Sequence, residues 1–169
     1  GVTAGARVER LARDKVEADP FGFPPRPAFP DQTVSAFNPK VAASYVLVTS
    51  MGGRATTRAH ASAGTGIRPP DAFEVSFTNN PNLKPERSRS LDVGVEQRLH
   101  GGRFVFDATA FSNTYDDLLV TVGASLAGAS QYSTDNVSNA RARGLELSTS
   151  LRPYPMLTVR ANYTFVSTE

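Results

Sequence analysis

The stretch Asn79-Asn80-Pro81-Asn82-Leu83-Lys84-Pro85-Glu86-Arg87-Ser88, running into Arg89-Ser90-Leu91-Asp92-Val93-Gly94-Val95-Glu96-Gln97-Arg98-Leu99, decides the fold. Its first half is turn chemistry. Pro81 and Pro85 have no N–H to give a β-ladder, and Asn79, Asn80 and Asn82 favour local side-chain-to-backbone turns. Its second half has a period of two. Leu91, Val93, Val95 and Leu99 stand against Asp92, Gly94, Glu96 and Arg98, the pattern of a strand with one apolar and one polar face. A turn-rich segment therefore brings the chain to the rim of a sheet, and the strand starts beside Ser88.

The same alternation recurs outward from this point. Phe104, Phe106, Ala108 and Ala110 oppose Arg103, Asp107 and Thr109, with Val105 intruding on the polar set. Leu145, Leu147 and Leu151 oppose Glu146, Ser148 and Ser150, and Leu157 to Phe165 repeats the pattern against Thr158, Arg160, Asn162 and Thr164. Upstream, Ala55, Ala59, Ala61 and Ala63 oppose Arg54, Arg58, His60 and Ser62. Val41, Ala43, Tyr45 and Leu47 form another set, and Val2, Ala4, Ala6 and Val8 oppose Thr3, Arg7 and Glu9. This predicts seven strands and no helix.

The connections between these strands alternate in length. Long links cover the proline-rich segment around residues 21–27, then Gly66–Arg87, then Tyr115–Asn136. Short ones fall at Ser50–Gly53, His100–Gly102 and Arg152–Pro155. Links beyond about 12–15 residues are uncommon in soluble sandwiches. A meander with short turns at one end and long loops at the other is the grammar of a transmembrane barrel. Strands of ten to twelve residues, at roughly 3.3 Å per residue and tilted about 45°, span on the order of 25 Å, the height of the apolar band of such barrels.

Bulk properties agree. Among 169 residues, 40% are hydrophobic and 20% charged, and the net charge is only +2. No basic stripe points to nucleic acid. The absence of cysteine excludes disulfides and thiolate metal sites, and two histidines make a His-rich metal centre an unattractive reading. No stretch reaches the roughly 20 apolar residues that a spanning helix needs.

The cost of charge in lipid assigns the faces. An Arg or Lys on the lipid side at mid-membrane costs roughly 2–4 kcal/mol. The polar sets, with Arg58, His60, Glu96, Arg98, Glu146 and Arg160, are therefore expected to line a wet lumen, and the apolar sets to meet lipid. Alternation alone fits equally well a soluble antiparallel β-sheet serving as a binding or adhesion module. The loop rule and an alanine-rich apolar face too slight for a packed core favour the membrane.

With these features in place, the quoted stretch resembles a signature of TonB-dependent outer-membrane receptors. Three other segments are similar to the family in the same order: Gly64–Pro70 (with Ile67 where an aromatic is usual), Thr109–Leu119 and Asn136–Glu146. The likeness runs from about Phe37 to the end. It implies an all-β, antiparallel up-and-down meander, part of a 22-stranded transmembrane barrel in the bacterial outer membrane. Residues 1–169 are expected to be a partial barrel domain, without the plug domain and the final strands. The implied function is TonB-dependent uptake of a scarce nutrient such as a ferric siderophore, haem or cobalamin. The implied partners are a TonB-type energy-transducing protein acting through the missing plug, a metal chelate or similar small molecule, and outer-membrane lipid.

No catalytic constellation is present in the sequence, and no enzyme activity, metal or cofactor is expected. Ligand contacts are expected in the long loops: Arg68, Phe73 and Phe77 in one, and Phe21, Phe23 and Arg26 in another, suited to a ligand with acidic and aromatic parts.

Overall fold

The computed structural model describes residues 1–22, 25–50, 52, 54–126 and 129–169. Seven strands run in chain order: β1 (Val2–Arg13), β2 (Gln32–Ser50), β3 (Ala55–Arg68), β4 (Glu86–Leu99), β5 (Phe104–Leu126), β6 (Ala129–Tyr154) and β7 (Leu157–Thr168). They form one sheet in sequential order with every neighbouring pair antiparallel. The expected meander is present, and the sheet is not closed within this chain.

Register carries the face assignment from strand to strand. Arg58 lies opposite Glu96, Glu96 opposite Asp107, and Asp107 opposite Ser148. One row along, His60, Gly94, Thr109, Glu146 and Thr164 follow one another. Side chains directly across a ladder share a face, so the polar sets of β3 to β7 all lie on one side. Burial follows a pattern opposite to that of a soluble sheet. Leu91 and Val93 are 51% and 54% exposed, and Leu157 and Val159 are similarly open, whereas Glu96 is only 9% exposed.

Two expectations need correction. The link at Tyr115–Asn136 is not a loop: β5 and β6 stay paired from Leu118↔Val137 to Leu126↔Ala129, so the hairpin simply continues. Its Ser, Thr, Asn and Gly content mimics a loop. On β5 the alternation in fact continues, with Leu118, Val120, Val122, Ala124 and Leu126 against Thr121, Gly123 and Ser125, but the polar run Ser130–Asn136 on β6 hides the partner strand. The second correction is a short helix, α1 (Ala72–Ser76), where none was expected. Asp71 caps it, accepting from the Glu74 N–H, while the Glu74 side chain accepts from the Asp71 N–H, a reciprocal box. The third-to-fourth link accordingly shrinks to residues 69–85.

The short turns use backbone that glycine tolerates. Gly101 and Gly102 have φ of +66° and +85° between β4 and β5. The buried interior lies at the opposite end, where the long connections meet. Phe29, Leu83 and Thr134 are fully buried there, with Thr78 nearly so.

Gly94 occupies a crowded position. A Cβ there would lie 2.5 Å from both His60 Cε1 and Thr109 Oγ1. The gap lets His60 reach from β3 over β4 to β5, where Nε2 meets Asp107 Oδ2 at 2.8 Å. Gly94→Val is therefore expected to destabilise the protein by roughly 1–3 kcal/mol through forced displacement of His60. The urea midpoint of the full-length protein in lipid vesicles measures this, with Ser90→Val as the control on the same face.

Candidate functional site

Alternating long and short connections bring three segments to one end: residues 14–31, residues 69–85 and the β5–β6 extension. They dock through polar pairing. The Asn136 carboxamide behaves like a short piece of strand: its Oδ1 accepts from the Lys84 N–H at 2.8 Å, and its Nδ2 donates to the Lys84 carbonyl at 3.0 Å and the Asp117 carbonyl at 2.7 Å. Asn80 Nδ2 donates to Asp135 at 2.8 Å, and the Thr134 N–H donates to the Phe77 carbonyl at 3.0 Å. Gln32 Nε2 reaches the Leu83 carbonyl from β2 at 3.4 Å. The turn-rich stretch quoted at the outset is thus laid across the hairpin and held along its length.

Arg68 sits at the end of β3 and fixes α1. Its Nη1 donates to both Glu74 oxygens at 2.9 and 3.1 Å, and Nη2 donates to Glu86 at 3.1 Å. Both carboxylates are nearly buried. A guanidinium fork spent on two carboxylates is a positioning element, holding the loop for others. Phe73 on α1 and Phe77 at its C-cap meet in a tilted pair at 4.6 Å between centroids, and Tyr132 from β6 packs edge-on at 6.0 and 5.3 Å. Phe73 remains half exposed, so this three-ring cluster offers an aromatic surface.

In the first connection, Phe21 is 96% exposed. Phe23 lies outside the described residues. Arg26 pairs by backbone with Asp19, and its Nη2 donates to the Glu17 carbonyl at 3.2 Å. Between this connection and α1 lies a cavity of about 650 Å³ lined by Arg13, Val16, Arg26, Pro70 and Val75 among others. The Arg13 guanidinium lies 4.9 Å from the Phe29 ring centroid, and its Nε and Nη2, like Arg26 Nε, are buried without a hydrogen-bond partner. Cationic donors beside apolar walls suit a small acidic molecule.

Below this end, the polar face carries a ladder of charges. Glu96 pairs with Arg58 at 3.2 Å and with Arg98 at 2.7 Å. Asp107 takes His60 on one oxygen and the Thr109 hydroxyl, at 2.8 Å, on the other. Asp92 accepts from Ser62 at 2.7 Å. Glu146 and Arg160 share this face by register, opposite Thr164 and Ser150. Among the described residues no group of three or more His, Asp or Glu is placed to hold a metal ion.

Sequence reasoning missed Arg13, Glu74, Tyr132 and Asn136. The Asp-x-x-Glu spacing of Asp71 and Glu74 is a visible capping signal, whereas nothing local marks Asn136, because its partners Lys84 and Asp117 are 52 and 19 residues away.

Residues 1–169 match the family described as "TonB dependent receptor-like, beta-barrel". Over 90 residues, 52% of this chain and 14% of that protein, the sequence is 34% identical to the vitamin B12 transporter BtuB of Vibrio vulnificus (strain YJ016). Over 113 residues, 59% of this chain and 15% of that protein, it is 32% identical to the heme/hemopexin utilization protein C of Haemophilus influenzae (strain 86-028NP). The copper transporter OprC shares the fold with a TM-score of 0.72 at 21% identity, over 99% of this chain and 26% of that one. The siderophore receptor PirA from Pseudomonas aeruginosa does so with a TM-score of 0.60 at 19% identity, over 98% and 32%. The chain spans less than a third of the length of each of these proteins.

Replacing Asn136 by Ala removes three hydrogen bonds at the long-connection end. The expected result is faster amide hydrogen exchange at Lys84, by about tenfold, with β3 and β4 amides unchanged. Exchange measured by mass spectrometry checks this.

Proposed function

Because the chain belongs to the TonB dependent receptor-like β-barrel family, we propose that it forms part of the barrel of an active importer driven by a TonB-type energy-transducing protein. The protein is a bacterial outer-membrane protein. In our reading the plug domain and the remaining strands belong to the longer receptor, and the cargo is a scarce chelate: a ferric siderophore, haem or cobalamin. Relatives named for vitamin B12 and heme, and a fold shared with siderophore and copper receptors, support that class. The chain is read as non-catalytic, since these relatives are transporters and receptors.

One observation carries the proposal: on β4, inside the sheet, Leu91, Val93 and Val95 are exposed while Glu96 on the other side is paired and buried. A soluble binding module would need the reverse, so that alternative is not favoured. Lipid covers the first face, and the second borders the lumen with Arg58, His60, Glu96, Arg98, Glu146 and Arg160. Cargo is captured above, where the cavity guanidiniums of Arg13 and Arg26 meet acidic groups and the Phe73–Phe77–Tyr132 cluster meets aromatic ones. Phe21 offers a further exposed ring. Arg68 serves by holding α1 in place.

Two measurements test this reading. Nitroxide labels at Val93→Cys and Asp92→Cys in the full-length protein in vesicles should alternate, the first relaxed by oxygen and the second by a water-soluble nickel chelate. Relaxation of the residue-93 label by nickel would remove the lipid assignment. Cells lacking the intact gene should lose uptake of one labelled chelate among ferric siderophore, haem and cobalamin. Unchanged uptake of all three would refute the cargo class.

A further inference from the structure

The lipid-facing side is not uniformly apolar, and its charges are confined to one end. On that face β2, β3 and β7 carry no charged residue. Up to the Asp116–Asn139 pair, its charges are Arg10 on β1, Arg87 and Arg89 on β4, Asp116 on β5, and Arg141 and Arg143 on β6. All belong to the long-connection half, and five of the six are arginine. Chance placement has no reason to spare the other half, and burial in acyl chains penalises each of them.

Four of these arginines surround a small polar floor. Arg89, Thr114 and Arg141 lie directly across from one another on β4, β5 and β6, and Leu91, Ser112 and Arg143 form the next row. Arg89 and Arg141 are thus two strand spacings apart, about 10 Å, with hydroxyl side chains between them. Arg89 pairs with Asp116 and Arg143 with Glu169, both at exposed positions. Among the described residues, Arg87 and Arg141 have no carboxylate within ion-pair distance. Positive charge is therefore in excess.

An apolar groove of about 680 Å³ reaches this cluster at Arg89. Small side chains on the same face create it: Ala4, Val41 and Ala63 lie in one row, Ala6 lies opposite Pro39 where the β2–β3 ladder ends, and Thr65 lies opposite Arg89. Cationic forks next to a lipid-side groove fit a molecule with an anionic head and a hydrocarbon tail.

We propose that Arg87, Arg89, Arg141 and Arg143 hold the phosphate-bearing headgroup of an anionic membrane lipid, with one acyl chain laid in the groove of β1 to β3. Guanidiniums at the interface avoid the hydrocarbon and gain two-pronged contacts with phosphate oxygens, and the Thr114 and Ser112 hydroxyls supply further donors. The site is annular, outside the import path, and it anchors the height of the barrel in the outer leaflet.

The inference rests on the lipid assignment of this face, which the nitroxide experiment tests separately. Failure there removes both readings, whereas success there leaves the lipid site to stand or fall alone. The full-length receptor in detergent is mixed with bisphosphorylated lipid A or its dephosphorylated counterpart, and retained lipid is counted by native mass spectrometry. Wild type should keep the phosphorylated lipid, and Arg141→Gln/Arg143→Gln should lose at least about fivefold of it. Arg141→Lys/Arg143→Lys should retain most, and Arg103→Gln at the short-turn end should match wild type. Only protein that shows heat-modifiable migration is scored, and if the double glutamine variant fails to fold, Arg141→Gln alone takes its place. Equal retention by wild type and the glutamine variant overturns the proposal. So does equal retention of the dephosphorylated lipid, or full displacement by excess inorganic phosphate, which would mark a free-anion site.

Discussion

Register is the constraint on which everything else depends. A slip of one residue in any of the six ladders would move every side chain of the following strands to the opposite face. In the β3–β4 ladder it would place Glu96, Asp107 and Glu146 against hydrocarbon. The two irregularities, between Val46 and Val48 and between Leu151 and Tyr154, fall at the short-turn end, where a change of face costs least. The charged ladder is both a product of this register and a reason for it, because Arg58–Glu96 and His60–Asp107 form only when β3, β4 and β5 are aligned as they are.

A second, smaller structure is built on the first. An open sheet has no interior, so the largest fully buried side chains among the described residues are found where the long connections converge. Phe29, Leu83, Thr78 and Thr134 form that interior, and hydrogen bonds from Asn136, Asn80 and Gln32 hold the connections together. The aromatic cluster and the Arg13–Arg26 cavity are consequences of this docking. Their geometry depends on polar pairing between segments more than on strand register.

Much of the sheet was legible because lipid imposes a strict period of two. All seven strands could be read from alternation, and the turn-rich stretch from Asn79 was recognisable as a rim segment because its prolines cannot enter a ladder. Beyond Asp116 the alternation persists on β5, from Leu118 to Leu126, but its partner run Ser130–Asn136 on β6 is almost wholly polar, so the pair read as a loop. Helix α1 has five residues, too few for a helical period, and only its cap announced it. Arg68 was read as a ligand contact because an arginine in a loop is ordinarily free. Its capture by Glu74 and Glu86 depends on a fold of the loop that no local pattern encodes.

The base of the β5–β6 extension is built around Asp117, whose φ of 55° is unusual for a residue with a side chain. Its carbonyl is held by Asn136 and its carboxylate by Lys84. Above it the two ribbons run some nine residues further, roughly 30 Å at strand spacing. A rotation of a few degrees at this hinge therefore becomes a sweep of ångströms at the tip. Tyr132 lies on this arm and packs against Phe73 and Phe77 on the rim. The hairpin is in that sense a lever whose fulcrum is the segment that begins at Asn79, and anything that grips its tip pulls on the aromatic cluster below.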